Sequence, residues 1–133
     1  MADWIGSSRT NYFRVKDPEA FETAMAHLDV EVWNNKDDPR LFGIGCGKDS
    51  NGDWPSCDVE TDEDFDFVEK VWPHLAEGEV AVFQTIGSEK LCYLTGHATA
   101  VNHQGKRIDL DIGDIYERAK RRFEVAQITE ASY

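Results

Sequence analysis

Long apolar runs are missing from this chain. No stretch approaches the roughly 18 uninterrupted apolar residues that cross a bilayer, and MADWIGSSRT has neither the basic start nor the apolar core of a secretory signal. A cytosolic protein is therefore expected. Cysteine is scarce too. Cys46, Cys57 and Cys92 cannot all pair within one chain and form no C-x-x-C unit, so they read as reduced thiols that take part in packing rather than as a disulfide framework. The sequence also lacks a nucleophile elbow, a phosphate loop and a kinase-type signature, and no enzyme is expected. Bases are the last shortage: 14 Lys and Arg stand against 26 Asp and Glu, a formal charge of −12.

That charge is unevenly placed. Residues 29–79 hold 15 acids and 4 bases, whereas residues 80–133 hold 7 of each. One region must carry nearly all the field, which repels nucleic acid and anionic membranes and attracts basic protein surfaces. Direct nucleic-acid binding is not expected. Apolar residues reach 41% and include four tryptophans, more than a disordered acidic tail carries, so the chain should fold as one domain over residues 1–133, with 124–133 frayed.

The pattern along the chain alternates between strand and helix. YFRVK (12–16) has strand alternation and runs into Asp17-Pro18-Glu19, a helix start whose stripe is Phe21, Ala24, Met25 and Leu28. VEVW (30–33) and LFGIGCG (41–47) read as strands, and glycines 43, 45 and 47 leave one face of the latter nearly bare. Thr61 with Asp64 resembles a capping box for a second helix carrying Phe65, Val68, Val71, Trp72 and Leu75, which Pro73 kinks or ends. VAVFQTIG (80–87) and LCYLTGHATAVN (91–102) form a hairpin, RIDLDI (107–112) follows a turn, and Ile112, Ile115, Tyr116, Ala119 and Phe123 trace a third helix. The order predicts an α+β fold: a mostly antiparallel sheet of about five or six strands with three helices.

KDSNGDWPSCDVETDEDFDFVEK (48–70) concentrates the acids. Asp49, Asn51, Asp53 and Glu60 fall at positions one, three, five and twelve of an EF-hand-like loop, but the glycine position is Trp54 and the flanks are not helices. A calcium- or metal-responsive module is thus an alternative, not the leading reading, and no metal or cofactor is expected. A zinc set of Cys46, Cys57, Cys92 and His97 lacks closely spaced ligand pairs. No pair of carboxylates stands out for acid/base work. What remains is a negative surface: Asp58 and Glu60 on one side of an extended segment, then Asp62, Asp66 and Glu69 at i, i+4 and i+7 of the second helix, with Glu63 and Asp64 beside them. A row of carboxylates imitates a row of phosphates. Trp54 and Phe67 supply apolar anchors, Phe67 being the residue most expected to be exposed because it lies off the helix stripe. The partner surface is thus expected to be Asp49, Asp53, Trp54, Asp58, Glu60, Asp62, Glu63, Asp64, Asp66, Phe67 and Glu69. Binding through the basic helix end, Arg118 to Arg122, is the other alternative, and the sequence leaves a homodimer open.

WIGSSRTNYFRVKD, NGDWPS, HLAEGEVAVF and EKLCYLTGHATAV give the chain, over most of its length, a resemblance to small acidic proteins carried by phages and plasmids. The resemblance implies a non-enzymatic inhibitor of host defence, of the anti-restriction or anti-CRISPR type. Its target would be the basic groove of a nucleic-acid-binding protein, a CRISPR effector or a restriction enzyme, in the host cytosol.

Overall fold

The computed structural model describes residues 4–48, 51–58, 60–89 and 93–129. Six strands, β1 (Trp4–Thr10), β2 (Val30–Asn34), β3 (Phe42–Cys46), β4 (Val80–Glu89), β5 (Tyr93–Asn102) and β6 (Arg107–Asp111), form one sheet in the order β2-β3-β1-β4-β5-β6. Every pairing is antiparallel. Three helices, α1 (Pro18–Ala26), α2 (Phe67–Val71) and α3 (Asp114–Phe123), complete a single α+β domain.

Register divides the sheet into two unlike faces. Thr10, Phe83, Thr99 and Asp109 stand opposite one another across four strands, and the lane they belong to fronts the core. α1 covers this front face. Its start follows from Asp17, whose carboxylate accepts from the Glu19 and Ala20 amides at 3.1 and 3.3 Å, with Pro18 pre-set for the first turn. Phe21 and Met25, four apart, are buried, and Phe21 meets Phe13 and Phe42 edge to face at 6.0 and 5.3 Å. α2 adds Phe67, Val68 and Val71 to the same core.

Segment 12–16 is not the first strand. Its alternation is real, but it serves two single bridges, Phe13 to Phe42 and Val15 to Leu75, that tie the sheet to the segment after α2. The strand is instead WIGSSRT, whose small polar residues hide it. In the centre of the sheet those polar groups are satisfied: Ser8 Oγ donates to the Gly52 carbonyl and lies 2.8 Å from Thr85 Oγ1, and Thr10 Oγ1 accepts from the Ile44 amide at 2.9 Å. Buried hydroxyls with partners cost little.

The second helix is also shorter than expected. Asp66, not Thr61, caps it, accepting from the Val68 amide at 3.0 Å, and at Pro73 the chain tightens into a 3-10 turn, Trp72–His74. Asp62 has φ +57° and stands outside any helix. The expected stripe Asp62, Asp66, Glu69 therefore does not exist, because one member sits in a left-handed turn and another is a cap. The shift also inverts Phe67: as the first residue of α2 it turns inward and is 3% exposed, stacked on Trp54 at 5.1 Å and set edge-on to Phe83 at 5.9 Å.

On the back face, the bare strip of β3 is filled. Trp33 lies across it so closely that a Cβ on Gly45 would collide with the indole at 2.4 Å, and the Arg9 guanidinium sits 5.8 Å from the Trp33 ring and 5.9 Å from Tyr12. The other half of that face, on β4, β5 and β6, is covered only in part among the described residues: the Ile112 side chain lies over Gly96, where an added Cβ would meet it at 2.7 Å, while Ile86, Leu94, Ile108 and Leu110 stay 51–74% exposed.

Candidate functional site

The acidic stretch folds into a turn of its own. Cys57 and Asp64 bridge, the Phe65 amide donates to the Ser56 carbonyl at 2.9 Å, the Asp58 amide to the Glu63 carbonyl at 2.8 Å, and the Asp62 amide to the Asp58 carbonyl at 2.8 Å. Asp58 shapes the tip: its Oδ1 accepts from the Glu60 and Thr61 amides at 2.9 and 3.4 Å, the local bonding that makes aspartate a turn residue. Asp62 tolerates the left-handed backbone for the same reason. A tight turn with its backbone bonds directed inward leaves its side chains outside. Asp58, Glu60, Asp62, Glu63 and Asp64 are all exposed, and none forms an ion pair among the described residues.

Aromatic packing holds the turn at its base. Trp54, half-buried, stacks on Phe67 and meets Phe83 edge-on at 5.6 Å. Phe65 is half-buried beneath Lys70, whose Nζ lies 5.3 Å from the ring. The two expected apolar anchors of a partner surface are thus the foundation of the turn. Asp53 is exposed nearby, and Asp49 lies outside the described residues.

Asp66 and Glu69 behave differently from the turn. Arg107 on β6 reaches Asp66 Oδ2 at 2.8 Å, Glu69 Oε1 at 3.8 Å and Asp109 Oδ1 at 3.3 Å. The hydrogen bond to Asp66 is the main cause that raises the guanidinium's pKa above its ordinary value. Asp109 is held below the usual carboxylate range, first by the Thr99 hydroxyl that donates to it at 2.5 Å and then by Arg107. His97 completes the group: Nε2 lies 3.2 Å from Thr99 Oγ1 and 3.6 Å from Asp109 Oδ1, and Nδ1 lies 4.0 Å from Asp111 Oδ2. Of these residues Asp66, His97, Thr99 and Arg107 border a cavity of about 300 Å³ whose walls also include Trp54, Phe67, Phe83 and Thr85. The Trp54 indole N–H is buried and has no hydrogen-bond partner among the described residues.

Sequence reasoning missed this network. Its signal was the alternation of His97 with Thr99 and of Arg107, Asp109 and Asp111 on adjacent strands, which register converts into cross-strand pairs. Chemically it is a lattice that fixes β6 to α2: the Thr99 hydroxyl already gives its proton to Asp109, and the arginine already holds carboxylates. Among the described residues no three His, Cys, Asp or Glu side chains are grouped to hold a metal. The calcium reading further needs Asp49, and the zinc reading Cys92, both outside the described residues. No described helix is long and apolar enough to cross a membrane. No known protein family, curated protein or solved structure matches the chain.

Proposed function

We propose that this is a non-enzymatic binding protein that presents the 58–64 turn to the cationic groove of a nucleic-acid-binding protein and keeps nucleic acid out of it. The observation that carries the reading is the contrast between five exposed carboxylates without a cationic partner among the described residues and the neighbouring Asp66 and Glu69, which Arg107 engages. Crowded, unneutralised carboxylates repel one another and cost stability that water and salt only partly screen; a groove lined with Lys and Arg removes that repulsion and steers association. The resemblance to phage- and plasmid-borne inhibitors supplies the setting, a host defence complex such as a CRISPR effector or a restriction enzyme.

The test neutralises the turn without unfolding it, by Asp58→Asn, Glu60→Gln, Asp62→Asn, Glu63→Gln and Asp64→Asn together. Wild type and variant are immobilised, loaded with host lysate and washed through a salt series. The expected result is a protein retained by wild type at low salt, displaced by duplex DNA or RNA, and not retained by the variant. Equal retention on both would remove the turn from the function.

A further inference from the structure

α3 has an apolar stripe that stays largely exposed among the described residues. Ile115, Ala119 and Phe123 recur every fourth residue, yet no α3 residue is buried, and the depression beside the helix is lined by α3 side chains alone. A helix of 10 residues is marginal in water unless its apolar side is packed. The half of the sheet that only Ile112 partly covers has the opposite deficiency. Ile86 on β4, Leu94 on β5, and Ile108 and Leu110 on β6 share the back face, as the pairings Ile86 with Gly96, Ser88 with Leu94, Ala98 with Leu110 and Ala100 with Ile108 require. A sheet face of this composition belongs under a helix.

We infer that two copies of this chain associate by laying α3 of each across the β4-β5-β6 back face of the other. Three observations select a second copy over an unrelated partner. The first is self-complementarity: one chain carries an apolar helix without a sheet and an apolar sheet face without a helix, and a two-fold arrangement satisfies both together. The helix is kept from its own sheet by its tether. The link to β6 is Ile112 and Gly113; the Ile112 amide still bonds the Gly96 carbonyl at 2.9 Å and Gly113 is already the cap of α3, so no unbonded residue separates the strand from the helix.

The second is area. Ile86, Leu94, Ile108, Leu110, Ile115 and Phe123 are 51–74% exposed. At roughly 200 Å² for an open side chain of this size, they present on the order of 800 Å² per copy, the amount each partner gives to a standard stable interface. Length fits as well: α3 spans ~15 Å, enough to cross three strands spaced ~4.8 Å apart.

The third is charge. The face and the helix belong to residues 80–133, where acids and bases balance, so two strongly acidic molecules meet through their neutral halves. The acidic turn packs on the front-face residues Phe67 and Phe83 through Trp54 and stays outside the contact, which leaves a dimer with two turns free.

Sedimentation velocity on the full chain tests association, with Ile108→Glu and Phe123→Glu as breaking variants; both positions are exposed in the single copy, so the fold survives them. The expected result is a wild-type dimer at micromolar concentration and a loss of affinity of roughly 100-fold in each variant. Wild type sedimenting as a monomer throughout, or variants that dimerise as tightly as wild type, overturns the inference. Filtered nuclear Overhauser spectra on a mixture of labelled and unlabelled chains test the arrangement. Cross-peaks between Ile115 or Phe123 of one copy and Ile108 or Leu110 of the other are expected. Cross-peaks confined within one copy, or running only from sheet face to sheet face, overturn it.

Discussion

α1 and α3 are near equals in length, nine residues against ten, and both carry an apolar stripe. α1 buries Phe21 and Met25 under the sheet, while α3 buries nothing. The difference lies in what surrounds them. α1 is fed by segment 11–16, which bridges Phe42 and Leu75 and carries the chain over the front face. α3 leaves the outer edge of the sheet on a two-residue link. The back face repeats the contrast: Trp33, Tyr12 and Arg9 cover the β3-β1 half from within the chain, and the β4-β6 half presents isoleucine and leucine to water. An apolar pattern says that a side must be covered; connectivity decides whether its own chain can do it.

The sharpest break of that comparison is a matched pair of truncations. Phe21→Ala should lower the unfolding free energy by roughly 3–5 kcal/mol, and Phe123→Ala, measured in urea at a concentration low enough to keep copies apart, should change it by no more than about 0.5 kcal/mol. Similar losses at both sites would mean that α3 packs on its own domain.

A smaller contrast separates the structural acids from those of the turn. Asp66→Ala removes the α2 cap and the closest partner of Arg107, and should cost about 1–2 kcal/mol. Glu63→Ala in the turn should stay within about 0.5 kcal/mol of wild type in the same thermal or urea melts. An equal cost at Glu63 would show the turn to be paired rather than free.

Acid should act through His74. Desolvation, with Lys16 adding to it, holds this imidazole below its ordinary 6.5, and the ring lies 5.8 Å from Phe21. The unfolded chain therefore takes up the proton first as pH falls. The stability tied to His74 is complete above about pH 6.5 and is lost as pH drops through the folded value. Melting temperature against pH should decline less steeply over that window in His74→Phe; identical slopes would remove His74 from the balance. Two opposed effects nearly cancel at Trp54. Replacement by Phe loses ring area but releases a buried N–H that has no partner among the described residues, an unmade bond of about 1–3 kcal/mol, so the net change should stay within about 1 kcal/mol.

Much of the fold was legible because its signals were local. Asp17-Pro18, the alternation of the two hairpin strands and the glycine strip of β3 each point to one conformation, and the α+β sheet with three helices follows. β1 was not legible: Ser7, Ser8 and Thr10 look like loop residues until their neighbours are known, since hydroxyls become strand residues only when Gly52, Thr85 and Ile44 answer them. The acidic stretch was legible in composition and not in shape. Thr61 with Asp64 fits a capping pattern, but Asp58 closes a turn across Glu63 that takes those residues out of the helix. Phe67 was misplaced by the same error, since moving a helix start changes which side every residue faces. The Arg107 network depends on strand register, which pattern alone does not fix.

Backbone amide exchange along α3, measured at low and high protein concentration, tests most directly the claim that this helix waits for a second copy. The account predicts fast exchange over residues 114–123 in dilute protein, slowed strongly on concentration, and no slowing in Ile108→Glu, where the helix itself is untouched. Protection already present in dilute protein, or fast exchange at every concentration, would contradict it.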